Sequence, residues 1–313
     1  MKNYLGFDIG ASSVKYGIGN CQLGLLHFGS FSIAERSLSC LHQVFRSILE
    51  DVNQKWGLDK ISAIGIGTPG TIDRESETIV GVNPNLPFWV NRDPRELIPP
   101  ELKLSVFVDN DANLMCLGEA FHRHPGKKVV GITIGSGIGC GYVQEGEIYH
   151  GSHGFAMELG HIIMAIDGAV CNCGRCGCLE AYSSVDGLQR RIWRCLTTEK
   201  PELKDQKPWG LRKIIAHKAD FPVIDKLVSE GMNYLARAAA NLIIVLDPDV
   251  LIFGGGAMDA ALYDFGMLKE TVETFLPQLN IHNCALGKAA HGNRAGVLGA
   301  IALAEQSSSG NSE

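Results

Sequence analysis

Between Glu158 and Glu180 the chain concentrates side chains able to grip a metal. His161 closes the run Glu158-Leu-Gly-His161, and ten residues later comes Cys171-Asn-Cys173-Gly-Arg-Cys176-Gly-Cys178-Leu-Glu180. One imidazole nitrogen and three thiolate sulfurs make the donor set of a closed tetrahedral zinc site. His161, Cys171, Cys173 and Cys178 are read as the ligands. Four protein ligands leave no open coordination position, so Zn2+ here would be structural and would stiffen the loop that carries Glu158, His161 and Glu180. The competing readings are disulfides, or a zinc knuckle remote from function. Redox catalysis is disfavoured because the run is not a Cys-x-x-Cys that opens a helix.

A second cluster lies at Val106-Phe-Val-Asp109-Asn110-Asp111-Ala-Asn113. An apolar strand runs straight into two aspartates and two asparagines. Carboxylates at the carboxyl end of a strand in an α/β sheet face the ligand crevice, where one can accept a hydroxyl proton during phosphoryl transfer. Capping of the helix that follows is the alternative role for these residues.

Glycine turns supply a third kind of chemistry. Asp8-Ile-Gly10-Ala11-Ser12-Ser13-Val14-Lys15 joins two apolar stretches through a tight turn whose amides and hydroxyls suit a phosphate, with Asp8 placed for hydrated Mg2+. Val129 to Val143 repeats the design, with Gly135, Ser136, Gly137 and Gly139 at its turn. Two such copies suggest two related lobes that each give one phosphate loop. A dinucleotide fingerprint needs a helix directly after the turn, whereas Gly141 to Glu147 reads as a further strand and hairpin. Gly254-Gly255-Gly256 follows another apolar strand and would let a flat base lie against backbone, the alternative being a plain strand-to-helix connection.

Elements must position these groups. Leu41, Val44, Phe45, Ile48, Leu49 and Val52 recur at three- and four-residue spacing, which predicts an amphipathic helix from Leu38 to Trp56. Ile61 to Gly67 reads as a buried strand that ends in the turn Thr68-Pro69-Gly70, and Asn83 to Trp89 as a proline-broken loop. Val185 to Leu196 and Pro222 to Leu246 read as helices, with a charged linker at Glu199 to Lys207. Ala295 to Glu305 reads as a last apolar helix.

The chain has 313 residues, enough for two domains, and a net charge of −6, which gives no general basic field for nucleic acid. No stretch reads as a signal peptide or a membrane span, so a cytoplasmic location is expected. In a reducing compartment the remaining cysteines, Cys21, Cys40, Cys116, Cys140, Cys195 and Cys284, serve as small apolar fillers.

The pairing of Glu-x-Gly-His with Cys-x-Cys-Gly-x-x-Gly-Cys-x-Glu resembles the signature of the ROK family, which contains sugar kinases and sugar-responsive repressors. The resemblance implies an α/β fold, a two-lobed actin-like ATPase (ribonuclease H-like) with an interlobe cleft. The expected first lobe is 1–112, joined by a C-terminal helix 295–306. The second is 113–294 with the zinc segment 158–180, followed by a disordered tail 307–313.

It further implies an ATP-dependent hexose kinase. ATP and Mg2+ would be held by Asp8, Gly10, Ser12, Ser13 and Lys15, with Gly135, Ser136, Gly137, Gly139 and Gly254, Gly255, Gly256. The hexose would be held by Gly70, Asn85, Asn110, Glu158, His161 and Glu180, with Asp111 as catalytic base. In this resemblance Cys176 occupies a variable position and is not a ligand. Glucose, N-acetylglucosamine, N-acetylmannosamine and allose all suit such a site. A sugar-binding regulator of the same family without kinase activity and a polyphosphate-dependent glucokinase are the alternative readings, and homodimers are common among such relatives. Two positions depart from the family pattern: Ala11 stands for the second glycine of the first phosphate motif, and Met157 for a glycine before Glu158.

Overall fold

The structure is a computed structural model that describes residues 2–22, 24–81, 86–277 and 283–310. It divides into two compact units, one of residues 1–131, 141–157 and 293–313, the other of 132–140 and 158–292.

The first unit is built on a five-stranded sheet of β1 (Asn3–Ile9), β2 (Ser13–Asn20), β3 (Gly24–Ser32), β4 (Ile61–Thr68) and β7 (Ser105–Asn110), in the order β3-β2-β1-β4-β7. The first three strands are antiparallel neighbours, while β4 and β7 run parallel to β1. Side chains of a strand alternate between faces, and both faces are covered here. Leu5, Phe7 and Ile9 join the core beneath α1 (Leu38–Lys55), and Tyr4 packs with Val297 and Ile301 of α9 (Ala295–Gly310). The six apolar positions expected to face the core from α1 are the six it buries, and Ser37 caps the helix through the Cys40 amide. Phe45 stacks on Phe7 with ring centroids 4.6 Å apart. Truncating it to alanine should cost about 3–5 kcal/mol.

A short hairpin of β5 (Thr71–Ile72) and β6 (Ile79–Val80) follows β4. After β7 comes α2 (Asp111–Arg123), which lies along α9. Their backbones touch, since a Cβ at Gly299 would collide with the Leu114 carbonyl. This close packing carries α2 into the first unit, whereas a boundary at 113 would have placed it in the second. The expected disordered tail is corrected for 307–310, while 311–313 lie outside the described residues. Residues 307–310 continue α9, where Ser308 and Ser309 donate hydroxyl hydrogen bonds to the Glu305 carbonyl at 3.2 and 2.8 Å.

A second sheet has the order β10-β9-β8-β11-β12, formed by β8 (Val129–Ile134), β9 (Ile138–Gln144), β10 (Glu147–Ile148), β11 (Val250–Gly254) and β12 (Ala285–Lys288). The helices of the second unit are α3 (Leu179–Ser183), α4 (Val185–Glu199), α5 (Leu211–Ala216), α6 (Pro222–Leu246), α7 (Gly256–Asp259) and α8 (Phe265–Phe275). The long α6 packs against α3, α4 and α8. β3, β5, β6, β12, α3, α5 and α8 have no counterpart in the sequence expectations. Among the described residues no helix is long and apolar enough to cross a membrane, and all ten cysteines are free thiols, which removes the disulfide reading of the cysteine run.

Candidate active site

In the first unit the β1–β2 turn closes by a hydrogen bond from the Gly10 amide to the Ser13 carbonyl at 2.9 Å, and Ile33 donates to the Ser12 carbonyl at 2.9 Å. Gly10 is partly buried and the Ser12 side chain is exposed. Asp8 and Lys15 are cross-strand partners, and Lys15 Nζ stands 2.9 Å from Asp8 Oδ2. The two residues expected to serve phosphate and Mg2+ are therefore already an ion pair. A carboxylate oxygen donor is the chemistry Mg2+ takes, so Asp8 fits that ion.

The β7–α2 turn places three acidic or amide side chains with different fates. Asn110 is the N-cap of α2, its Oδ1 accepting from the Ala112 and Asn113 amides at 2.9 and 3.3 Å. Its Nδ2 donates to the Gly70 carbonyl at 3.1 Å, so two expected sugar contacts are neighbours. Among the described residues both Oδ1 lone pairs of Asn110 are used, and one Nδ2 hydrogen is left for a further bond.

Asp111 opens the helix and keeps partial exposure as a residue. Its carboxyl is pushed up to about 6, first by burial and then by the nearby negative charge of Asp8. The Ala112 amide, 2.9 Å from Oδ1, and the Lys15 ammonium oppose the rise.

Asp109 is buried, and burial alone would raise its carboxyl. Hydrogen bonding and charge from His150, the Arg74 guanidinium and the Asn113 amide outweigh that and hold it below the usual range. Trp89 is fully buried and donates Nε1–H to Thr68 Oγ1 at 2.7 Å, supporting the end of β4. Asn85 lies outside the described residues.

In the second unit His161, Cys171, Cys173 and Cys178 come together, their ligand atoms all within 4.8 Å of one another. Cys171 Sγ is 3.8 Å from His161 Nδ1, and Cys173 Sγ is 3.7 Å from Cys178 Sγ. With Zn–S bonds of about 2.3 Å, ligands of a tetrahedral zinc stand about 3.8 Å apart. The four residues therefore fit Zn2+. Cys176 is exposed and outside the group.

Glu158 precedes the single helical turn Leu159–His161, its carbonyl accepting from the His161 amide at 3.0 Å, and is exposed. Glu180 lies in the first turn of α3. Its Oε2 accepts from the Ile138 amide at 3.1 Å, and its Oε1 is 3.5 Å from Cys171 Sγ. One carboxylate thus joins the cysteine cluster to the second glycine turn. A Cβ at Gly137 would come within 2.5 Å of Glu180 Oε2, so a side chain there would displace the carboxylate.

That turn closes through Gly135 N–H to the Gly137 carbonyl at 2.9 Å. The start of α4 holds it from behind, with the Val185 amide on the Gly135 carbonyl at 2.9 Å and the Asp186 amide on the Ser136 carbonyl at 3.3 Å. Gly139 lies in β9, and Gly254 ends β11. Gly255 has φ +90° and room for no Cβ against the Ile134 carbonyl, and Gly256 opens α7. The two glycine runs therefore meet at Ile134.

Sequence reasoning missed Arg74 and His150, the partners of Asp109. Arg74 is one of several polar residues in the run Asp73–Thr78 and His150 stands beside Ser152 and His153, with no spacing to mark either. Met157 has φ +67°, the left-handed region that favours glycine, which accounts for glycine being the residue expected there.

The ROK family profile matches residues 4–307. Among curated relatives, the glucokinase of Thermotoga maritima is 31% identical over 84% of this chain and 85% of its own length. The xylose repressor of Caldicellulosiruptor bescii is 28% identical over 96% of this chain and 77% of its own. The N-acetyl-D-glucosamine kinase of Vibrio parahaemolyticus is 27% identical over 96% and 99%.

Among solved structures, the ROK hexokinase from Thermus thermophilus superposes with a TM-score of 0.80 at 26% identity, covering 98% of this chain and 99% of that one. A ROK family glucokinase from Streptomyces griseus in complex with glucose and AMPPNP gives 0.78 at 26%, covering 97% and 99%. The fold is that of the actin-like ATPases in their sugar-kinase form. The chain belongs to the ROK family.

Proposed function

We propose that this chain is an ATP-dependent hexose kinase that phosphorylates the 6-hydroxyl of glucose or of an N-acetylhexosamine, N-acetylglucosamine or N-acetylmannosamine. The observation that carries the reading is Asp111, a recessed carboxyl raised to about 6 close to the Asp8–Lys15 pair. A base with its pKa near the operating pH takes a proton efficiently, and Asp111 would accept the one lost by the attacking hydroxyl.

Phosphoryl transfer has a loose transition state, so most acceleration comes from alignment and charge neutralisation. The amides of the Gly10–Ser13 and Gly135–Gly139 turns and the Lys15 ammonium would bind phosphate oxygens, and the Gly254–Gly256 run would receive the adenosine. Asp8 would hold Mg2+, which when bound neutralises phosphate charge. Gly70, Asn110, Glu158, His161 and Glu180 would orient the sugar hydroxyls. His161, Cys171, Cys173 and Cys178 would hold a structural Zn2+ that fixes their loop.

The names of the glucokinase and N-acetylglucosamine kinase relatives support this reading, and the xylose repressor supports a second one, a sugar-binding regulator. Phosphorylation assays across a hexose panel, with ATP and polyphosphate as alternative donors, test it. Transfer from ATP to at least one hexose is expected. Sugar-dependent DNA binding with no transfer to any hexose would replace the kinase by the regulator. The homodimer and cytoplasmic location belong to the same reading, and light scattering on the purified chain checks the first.

A further inference from the structure

Asp109 is 1% exposed, and the reaction as proposed does not call on it. Its carboxylate nevertheless gathers four partners. Oδ1 accepts from the Asn110 amide at 2.7 Å and from Asn113 Nδ2 at 2.9 Å, while Oδ2 meets Arg74 at 2.8 Å and His150 Nε2 at 2.6 Å. An unpaired buried charge would be heavily penalised, and a paired one often adds little net stability. Helix capping does not explain the cluster, because Asn110 already caps α2.

What the cluster does is join three stretches of chain. Arg74 belongs to the turn after β5, and Gly70, just before β5, accepts the Asn110 side chain. His150 opens the segment 150–157, in which a Cβ at Gly154 would collide with the Ile72 carbonyl. Asp109 itself ends the strand whose next residues are Asn110 and Asp111. A single buried carboxylate thus sets the relative placement of the Gly70 turn, the β7–α2 turn and the segment that runs on to Glu158.

We propose that Asp109, clamped by Arg74 and His150, is a positioning residue that holds Asn110 and Asp111 at a fixed setting against Gly70, so that the base keeps its place relative to the remaining Nδ2 hydrogen of Asn110. The role in turnover rests on the hexose kinase reading, and the geometric role does not. His150 touches Asp109 through Nε2, which must carry the proton to donate. Glutamine offers an amide donor of similar reach, and alanine offers none.

The test compares full-length wild type with His150→Ala and His150→Gln, each checked by thermal melting, using the hexose of the panel that turns over best. His150→Ala should lower kcat/KM for that hexose about tenfold, a loss of about 1.4 kcal/mol in transition-state stabilisation, with the KM for ATP within about twofold of wild type. His150→Gln should recover most of the loss. Equal loss in both variants, or a loss that follows the melting temperature and falls on both substrates alike, overturns the proposal.

Hydrogen exchange on the same proteins without substrate separates this outcome from failure of the kinase reading. His150→Ala should speed exchange at the Asn110–Asn113 amides and His150→Gln should not. Unaltered exchange there in His150→Ala overturns the clamp, whether or not the wild type phosphorylates any hexose.

Discussion

The β7–α2 turn and the 158–180 loop both present polar side chains from irregular backbone, and they are held by opposite means. The turn is held by the protein itself, through a buried carboxylate with four partners and a capped helix resting on α9. The loop has one three-residue helical turn, two isolated bridges, and Ile166 and Val170 at 91% and 66% exposure. Its buried residues are Leu159, Gly160, Cys171, Gly177, Cys178 and Leu179, and the two cysteines pack with Ala181 and Tyr182 of α3. So small a core suits a metal staple, and the donor set of the loop fits Zn2+. The turn should therefore respond to acid and the loop to chelation.

Chelation separates the two most strongly. Stripping zinc from the purified chain should cost about 4 kcal/mol or more, the linkage value for a ligand near a thousandfold excess over its Kd. It should appear as a lower melting temperature and faster hydrogen exchange across 158–180, with the β7–α2 turn unchanged. Cys178→Ser should reproduce the effect and Cys176→Ser should not. A metal-free chain that melts like the purified one would leave the loop without its proposed staple.

Next in size is the chemistry assigned to the turn. Asp111→Asn should reduce turnover by roughly 10²- to 10⁴-fold while equilibrium hexose binding, measured by calorimetry, persists. Unchanged turnover would remove Asp111 from the mechanism.

The contrast between the two supports also decides what could be read from the sequence. The cysteine loop was legible because metal ligation demands particular residue types at short spacing, and α1 because its apolar period is strict over 18 residues. The Asp109 cluster was half legible. Its aspartate stands in a visible run of polar residues, but Arg74 and His150 lie 35 and 41 positions away and meet it only through the tertiary fold. Glu180 was expected in the site, but its bonds to Cys171 and to the Ile138 amide were not, because they depend on where the tertiary fold sets α3. The end of α9 was misread because serines 307–309 suggest a tail by composition, whereas serine hydroxyls can bond back to the preceding turn and stay helical.

Within the turn, acid should act on two aspartates with opposite sign. Asp109 has a folded pKa below the ordinary value, so its stabilising contribution is present above about 4 and is lost as pH falls through the folded value. Asp109→Asn should therefore cost about 3 kcal/mol at pH 7, where it leaves Arg74 facing a neutral group. The gap to wild type should close as both are taken to low pH in denaturant titrations. A gap that stays constant down to pH 3 would mean that shape, and not charge, holds the cluster.

Asp111 should behave the other way. Its folded carboxyl titrates at about 6, above the unfolded value of about 3.9, so its contribution to stability is greatest below pH 4 and declines as pH rises through 6. Ionised Asp111 is then a strained group that the fold tolerates. Allowing for its partial exposure, Asp111→Asn should stabilise the chain by about 2 kcal/mol at pH 7 and by almost nothing at pH 3.

The same titration gives turnover an acid limb near pH 6, since only the carboxylate can take the hydroxyl proton. A variant that is inactive and more stable at neutral pH marks a residue kept for chemistry. If Asp111→Asn is less stable than wild type at pH 7, the aspartate serves the helix start and its raised pKa has no catalytic meaning.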